Sequence, residues 1–151
     1  MWKILVVDDQ DCIRNLITET LSPDGYEIQA VGDRQSVRGV LVSNEPDLIL
    51  LDLYLDGPEG FDLLQEIKGQ HPSLPVIIVT AYDSHRDDPR LKKADGYVVK
   101  SIEFWDEVRQ GVAEVLARKE TVKTKTEEEI ASPNVLRAEI SPCKMAYESP
   151  H

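Results

Sequence analysis

Five short apolar runs, each followed by a stretch of a different period, constrain this chain more than any other feature. The runs are KILVV (residues 3–7), YEIQAV (26–31), DLILL (47–51), LPVIIVT (74–80) and GYVVK (96–100). Each has the length of a buried strand. Amphipathic helical segments fall between and after them. Asp11–Leu21 carries Ile13, Leu16, Ile17, Thr20 and Leu21 on one face, and Asp33–Asn44 carries Val37, Val40 and Leu41 behind an Asp33 N-cap. Phe61–Gln70 turns Phe61, Leu64 and Ile67 inward, and Glu103–Lys119 does so with Phe104, Val108, Val112, Val115 and Leu116. Ser22–Gly25 is turn chemistry, and a loop with Gly57, Pro58 and Gly60 follows the third run.

Strands that alternate with helices pair in parallel through right-handed crossovers, with helices on both sheet faces. Five such units predict an α/β, flavodoxin-like, doubly wound (βα)5 domain with strand order 2-1-3-4-5. The winding reverses between strands 1 and 3, so a site is expected outside their carboxyl ends. One interval fits poorly. Residues 81–95, AYDSHRDDPRLKKAD, hold a single large aliphatic, Leu91, and an internal Pro89. The sequence predicts only a short or mobile helix there, from about Pro89 to Ala94.

The strand ends carry the chemistry. Strand 1 ends in Asp8 and Asp9, strand 3 in Asp52, strand 4 in Thr80 and strand 5 in Lys100. Two carboxylates at about 4 Å repel by roughly 4 kcal/mol at an effective dielectric near 20. Converging acids therefore raise one another's pKa or call for a cation. A few carboxylates and retained waters are the ligand set that Mg²⁺ prefers, and Lys100 adds positive charge. Such a cluster suits phosphoryl transfer, with cations stabilising the equatorial oxygens and Thr80 donating to one of them. Asp52 stands alone at the central strand's end, facing Lys100 and Thr80. It is the best candidate nucleophile for an acyl phosphate, with Asp8 and Asp9 occupied by metal.

Composition narrows the partners. The chain has 151 residues and a net charge of −11, which argues against a nucleic-acid or anionic-membrane surface and for a cation or a basic partner. Two distant cysteines, Cys12 and Cys143, and the lack of a leader or long apolar run predict a cytoplasmic protein. The expected division is a domain over 1–118 and a polar tail over 119–151. That tail is disordered or serves as a docking segment anchored by Val135, Leu136 and Ile140.

With these residues in place the chain resembles the receiver domains of two-component response regulators, of the single-domain chemotaxis-regulator type. The resemblance runs from residue 3 to about 118. It rests on VVDD (6–9), LILLDLYLDGPEGFDLL (48–64), VIIVTAY (76–82) and GYVVKS (96–101). It implies that Asp52 accepts a phosphoryl group from a phosphohistidine on a sensor histidine kinase or phosphotransfer protein. It implies that Asp9, Asp52 and the Tyr54 backbone carbonyl bind Mg²⁺ directly while Asp8 holds a metal-bound water. Thr80 and Lys100 contact the phosphoryl group, and Tyr97 is the aromatic switch coupled to Thr80. Output then passes to a downstream protein partner. Self-phosphorylation from a phosphodonor and autodephosphorylation would be the only turnover.

The chain departs from the family at several positions. Ser101 replaces the proline that usually follows a cis bond, and Asp56 replaces a loop proline. The stretch from Thr80 to Lys100 is about two residues short. Tyr54 and Tyr82 place bulky rings two residues after Asp52 and Thr80, where they would shield the phosphoryl group from water. These departures leave a competing reading, a degenerate receiver used as a phosphorylation-independent binding module. A haloacid-dehalogenase-type phosphohydrolase needs Asp-x-Asp after strand 1, and here the acids are adjacent.

Overall fold

Strands β1 (Lys3–Val7), β2 (Glu27–Val31), β3 (Leu48–Leu51), β4 (Val76–Thr80) and β5 (Gly96–Val99) form one parallel sheet in the order β2-β1-β3-β4-β5. This computed structural model describes residues 1–55, 59–82, 86–101 and 104–128. Asp56 and the anchors Val135, Leu136 and Ile140 lie outside the described residues. The doubly wound fold and its order are as the alternation of runs implied.

β1 shows how the sequence makes two layers. Its side chains alternate between faces, and Ile4, Leu5, Val6 and Val7 are all buried. A strand with no polar face needs helices on both sides. Ile4 and Val6 join Leu48, Leu50, Ile77 and Val79 beneath α1 (Asp11–Leu21) and α4 (Phe104–Glu128). Leu5 and Val7 join Ile49, Leu51 and Ile78 beneath α2 (Arg34–Ser43) and α3 (Glu59–Gln70). Asp33 caps α2, its Oδ1 accepting from the Ser36 amide at 2.7 Å. Gly25 closes the turn after α1 at φ +89°, a conformation that side chains with a Cβ rarely adopt.

The structure differs from the sequence expectation in two places. Between β4 and β5 the expected helix from Pro89 to Ala94 is a single 3-10 turn at Pro89–Leu91. Asp88 caps it by accepting from the Arg90 amide at 2.9 Å, and i+3 bonds follow from Lys92 to Pro89 and from Ala94 to Leu91. Leu91 is the segment's buried anchor. One apolar contact holds one turn, and the Asp95 amide is already drawn to the Val76 carbonyl at 2.7 Å. The second difference is the length of α4, which continues to Glu128 where Lys119 was the expected end. No Gly or Pro occurs between Gly111 and Pro133, and the Lys and Glu there are good helix formers. Among the described residues no helix is long and apolar enough to cross a membrane.

Candidate functional site

The pocket forms where β1 and β3 end side by side. The Asp8 amide donates to the Val31 carbonyl at 3.1 Å and the Asp52 amide to the Val7 carbonyl at 3.0 Å, so ladder bonds continue through both acids. That holds their carboxylates at the sheet's edge, Asp8 at 1% exposure and Asp52 at 5%. Asp9 is exposed beside them. One carboxylate oxygen from each of Asp8, Asp9 and Asp52 lies within 4.8 Å of the others.

Lys100 crosses from β5 to the same point. Its Nζ donates to Asp8 Oδ2 at 2.6 Å and to Asp52 Oδ2 at 3.2 Å. No cis peptide bond occurs among the described residues, so the Lys100–Ser101 bond is trans and the lysine still reaches both acids. Their remaining oxygens accept backbone amides, Asp8 Oδ1 from Gln10 at 2.9 Å and Asp52 Oδ1 from Tyr54 at 3.2 Å.

The charges in this pocket do not balance. Burial is the main cause that pushes the Asp52 carboxyl up to about 6. The Lys100 ammonium opposes that shift, and the Asp8 carboxylate adds to it. For Lys100, burial favours the neutral amine, but the hydrogen bond to Asp8 and the charges of Asp52 and Asp8 together outweigh it. Its pKa is raised. One ammonium among three carboxylates leaves net negative charge in a mostly dry pocket. Its donors are hard oxygens only, which is the set that Mg²⁺ takes and a softer metal does not.

The other expected residues stand around this centre. Thr80 is fully buried at the end of β4; its hydroxyl accepts from the Tyr82 amide at 3.4 Å, and its carbonyl accepts from the Lys100 amide at 2.7 Å, which ties the two strand ends together. The Tyr54 and Tyr82 rings meet edge-on with centroids 5.0 Å apart, and Tyr54 also meets Phe61 at 6.2 Å. Tyr97 is half-buried on β5, and its hydroxyl donates to the Tyr82 carbonyl at 2.5 Å.

Two contributors escaped the sequence reading. Arg14 on α1 donates from Nη1 to the Asp8 carbonyl at 2.6 Å and pairs with Asp11, so it braces the backbone that presents Asp8. Its signal was only an arginine three residues after an acid at a helix start. Gly60 donates to the Leu53 carbonyl at 2.9 Å, and a Cβ there would collide with the Asp52 carbonyl and Leu53 Cα. It lets α3 start directly against the strand end that carries Asp52.

A doubly wound parallel sheet that delivers acids from its two central strands to a lysine from its edge strand defines an acidic-pocket domain of receiver type. The chain belongs to the response regulator receiver domain family, whose sequence model matches residues 4–127. It is 34% identical over 104 residues to the two-component response regulator PhoP of Pseudomonas aeruginosa. That match covers 68% of this chain and 46% of PhoP, so the chain spans about half of that relative's length. Among solved structures it is similar to response regulator TrrA of Thermotoga maritima in complex with Mg²⁺ and BeF. The identity is 37% and the TM-score 0.71, over 76% of this chain and 98% of TrrA. It matches TrrA equally in that protein's complex with histidine kinase ThkA, over 77% of this chain and 99% of TrrA at TM-score 0.71. A CheY-like receiver domain protein of Methanospirillum hungatei is 25% identical with TM-score 0.74, over 80% of this chain and 98% of that one.

Proposed function

We propose that this chain accepts a phosphoryl group on Asp52 from a phosphohistidine of a sensor histidine kinase or phosphotransfer protein, and that the acyl phosphate switches a protein-interaction surface. The observation that carries the reading is Lys100 Nζ, held between Asp8 and Asp52 at 2.6 and 3.2 Å inside the acidic trio. A surface lysine at a strand end has no reason to enter such a pocket. TrrA, with its Mg²⁺–BeF complex and its kinase complex, supports both the chemistry and the partner class.

An Asp52 oxygen attacks phosphorus while the N–P bond of the donor breaks. The imidazole nitrogen keeps the bonding pair and takes a proton from solvent. A carboxyl with pKa about 6 is mostly ionised at pH 7, so the nucleophile is ready. Lys100 already faces Asp52 and follows the charge onto a phosphoryl oxygen. The Thr80 hydroxyl, accepting from the Tyr82 amide, keeps its own O–H to donate to another. Asp9, Asp52 and the Tyr54 carbonyl would hold Mg²⁺ directly, with Asp8 acting through a water, and the ion supplies positive charge to the transferring group.

Tyr54 and Tyr82, ring against ring beside the acceptor, restrict the approach of water. Tyr54→Ala and Tyr82→Ala should each speed loss of phosphate from the loaded protein several-fold, read by intact mass over time; unchanged decay removes that role. Tyr97 is tied by its hydroxyl to the Tyr82 carbonyl, two residues past Thr80. Movement at Thr80 therefore reaches β5, which supports a switching role. The −11 charge favours a protein output over nucleic acid, and the exposed Cys12 thiol suits a cytoplasmic setting.

The test is intact mass after incubation with Mg²⁺ and a small acyl-phosphate donor. One phosphoryl adduct is expected, absent in Asp52→Asn and without Mg²⁺. A folded protein that takes up neither phosphate nor a beryllium fluoride mimic would be a binding module instead.

A further inference from the structure

A cavity of about 120 Å³ lies between the edge strand β5 and α4; Asp8, Asp9, Asp52, Thr80 and Lys100 do not line it, while Tyr97 does. Three α4 side chains line it at helical spacing, Glu107, Gln110 and Glu114. Glu107 is only 9% exposed, and no hydrogen bond or ion pair reaches its carboxylate among the described residues. Gln110 Oε1 and Glu114 Oε1 are fully enclosed and also lack a partner. Buried acceptors are nearly always satisfied in folded proteins, so two enclosed orphan acceptors beside the nearly buried Glu107 carboxylate point to a missing donor. Asp95, at one end, is taken by Lys68 Nζ and the Val76 amide. Arg118 is the one cation in the lining; it is exposed and pairs with neither glutamate among the described residues.

We propose that this cavity binds a guanidinium or primary ammonium group, carried by a small organic cation or by an arginine or lysine side chain. Two carboxylates and an amide oxygen exclude anions and demand several N–H donors with positive charge. The volume equals about four waters at roughly 30 Å³ each. That accommodates a cationic head and a short apolar stem along Val98 and Val115. The argument for the site uses none of the phosphoacceptor chemistry, and its test uses the unphosphorylated chain.

Backbone amide shifts of the full chain are followed by NMR at constant ionic strength. The probes are methylguanidinium, n-butylammonium and the blocked tripeptide acetyl-Gly-Arg-Gly-amide, with neutral N-methylurea as comparator. Saturable shifts confined to residues 96–98 and 107–115 are expected for the cations, with N-methylurea binding at least tenfold more weakly. Glu107→Gln and Glu114→Gln, both near-isosteric, should each weaken cation binding about tenfold by removing a charge-assisted bond. Arg118→Gln should tighten it. Tighter binding of the tripeptide than of the free cations would assign the group to a protein partner, and the reverse to a small solute. No saturable shift with any probe, equal binding of N-methylurea, or unchanged affinity in both glutamine variants would overturn the proposal.

Discussion

At the scale of single residues the pocket is a stored conflict, and its sign can be worked out. Asp52 titrates near 6 in the metal-free fold against about 3.9 in an unfolded chain. Between those values the folded state binds more protons, so stability falls as pH rises from about 4 to 6 and stays lowered above it. Two pKa units correspond to roughly 3 kcal/mol, and losing the contact to Lys100 cancels part of any gain from removing the charge. Asp52→Asn should therefore stabilise the chelator-treated protein at pH 7 by about 1–2 kcal/mol, with the advantage vanishing near pH 4. Urea midpoints of both proteins across that range test it, and millimolar Mg²⁺ at pH 7 should narrow the gap. Lys100→Met has the opposite sign, because Asp8 and Asp52 then face each other without a cation. A loss of about 3 kcal/mol is expected in the same urea series. The acids, Thr80 and Lys100 were legible in the sequence because each ends an apolar run, where position in the fold follows from position in the run. Arg14 and Gly60 were not, because they act on backbone atoms of other segments, which no periodicity records.

At the scale of elements, legibility followed apolar content. β3 and β4 are buried along their whole length and β1 from Ile4 onward, and their runs could be read nearly to the residue. The segment before β5 has Leu91 alone, and its geometry is set by backbone amides donating to the Asp88 and Asp95 carboxylates, which a hydrophobic pattern cannot show. α4 raises a different question, since Gly111 sits within it at a site where a Cβ would meet only Ile77 and Val98 side chains at 3.7 and 4.0 Å. Those are ordinary contacts, so no close approach requires glycine. Replacing it lowers the entropy of the unfolded chain and adds packing, and Gly111→Ala should stabilise by about 0.5–1 kcal/mol. A thermal midpoint that falls instead would mean that the helix shifts when the cavity beside Gly111 narrows.

At the scale of the molecule, the length of α4 sets how far the domain extends. Its 25 residues span about 37 Å at 1.5 Å per residue, roughly twice a five-residue strand at about 3.3 Å each. Leu116 is buried in the core, and Lys119 Nζ donates to the Asp47 carbonyl at 3.0 Å and lies 6.0 Å from the Trp2 ring centroid. The family match reaches residue 127, past both. A helical extension shorter than about 12 residues is marginal by itself, so the stretch after Lys119 should depend on the domain more than the domain depends on it. Ending the chain after Lys119 keeps the buried Leu116 and the Lys119 contacts and should move the thermal midpoint by no more than about 2 °C. Ending it after Arg118 removes the Lys119 contacts and should lower the midpoint further, by roughly 4 °C for about 1 kcal/mol. Paired melts of the two truncations against the full chain separate the cases. A large drop from the first truncation alone would show that residues after Lys119 pack on a surface, on this chain or on a second copy. A concentration dependence of the full chain's melting would then tell those two apart.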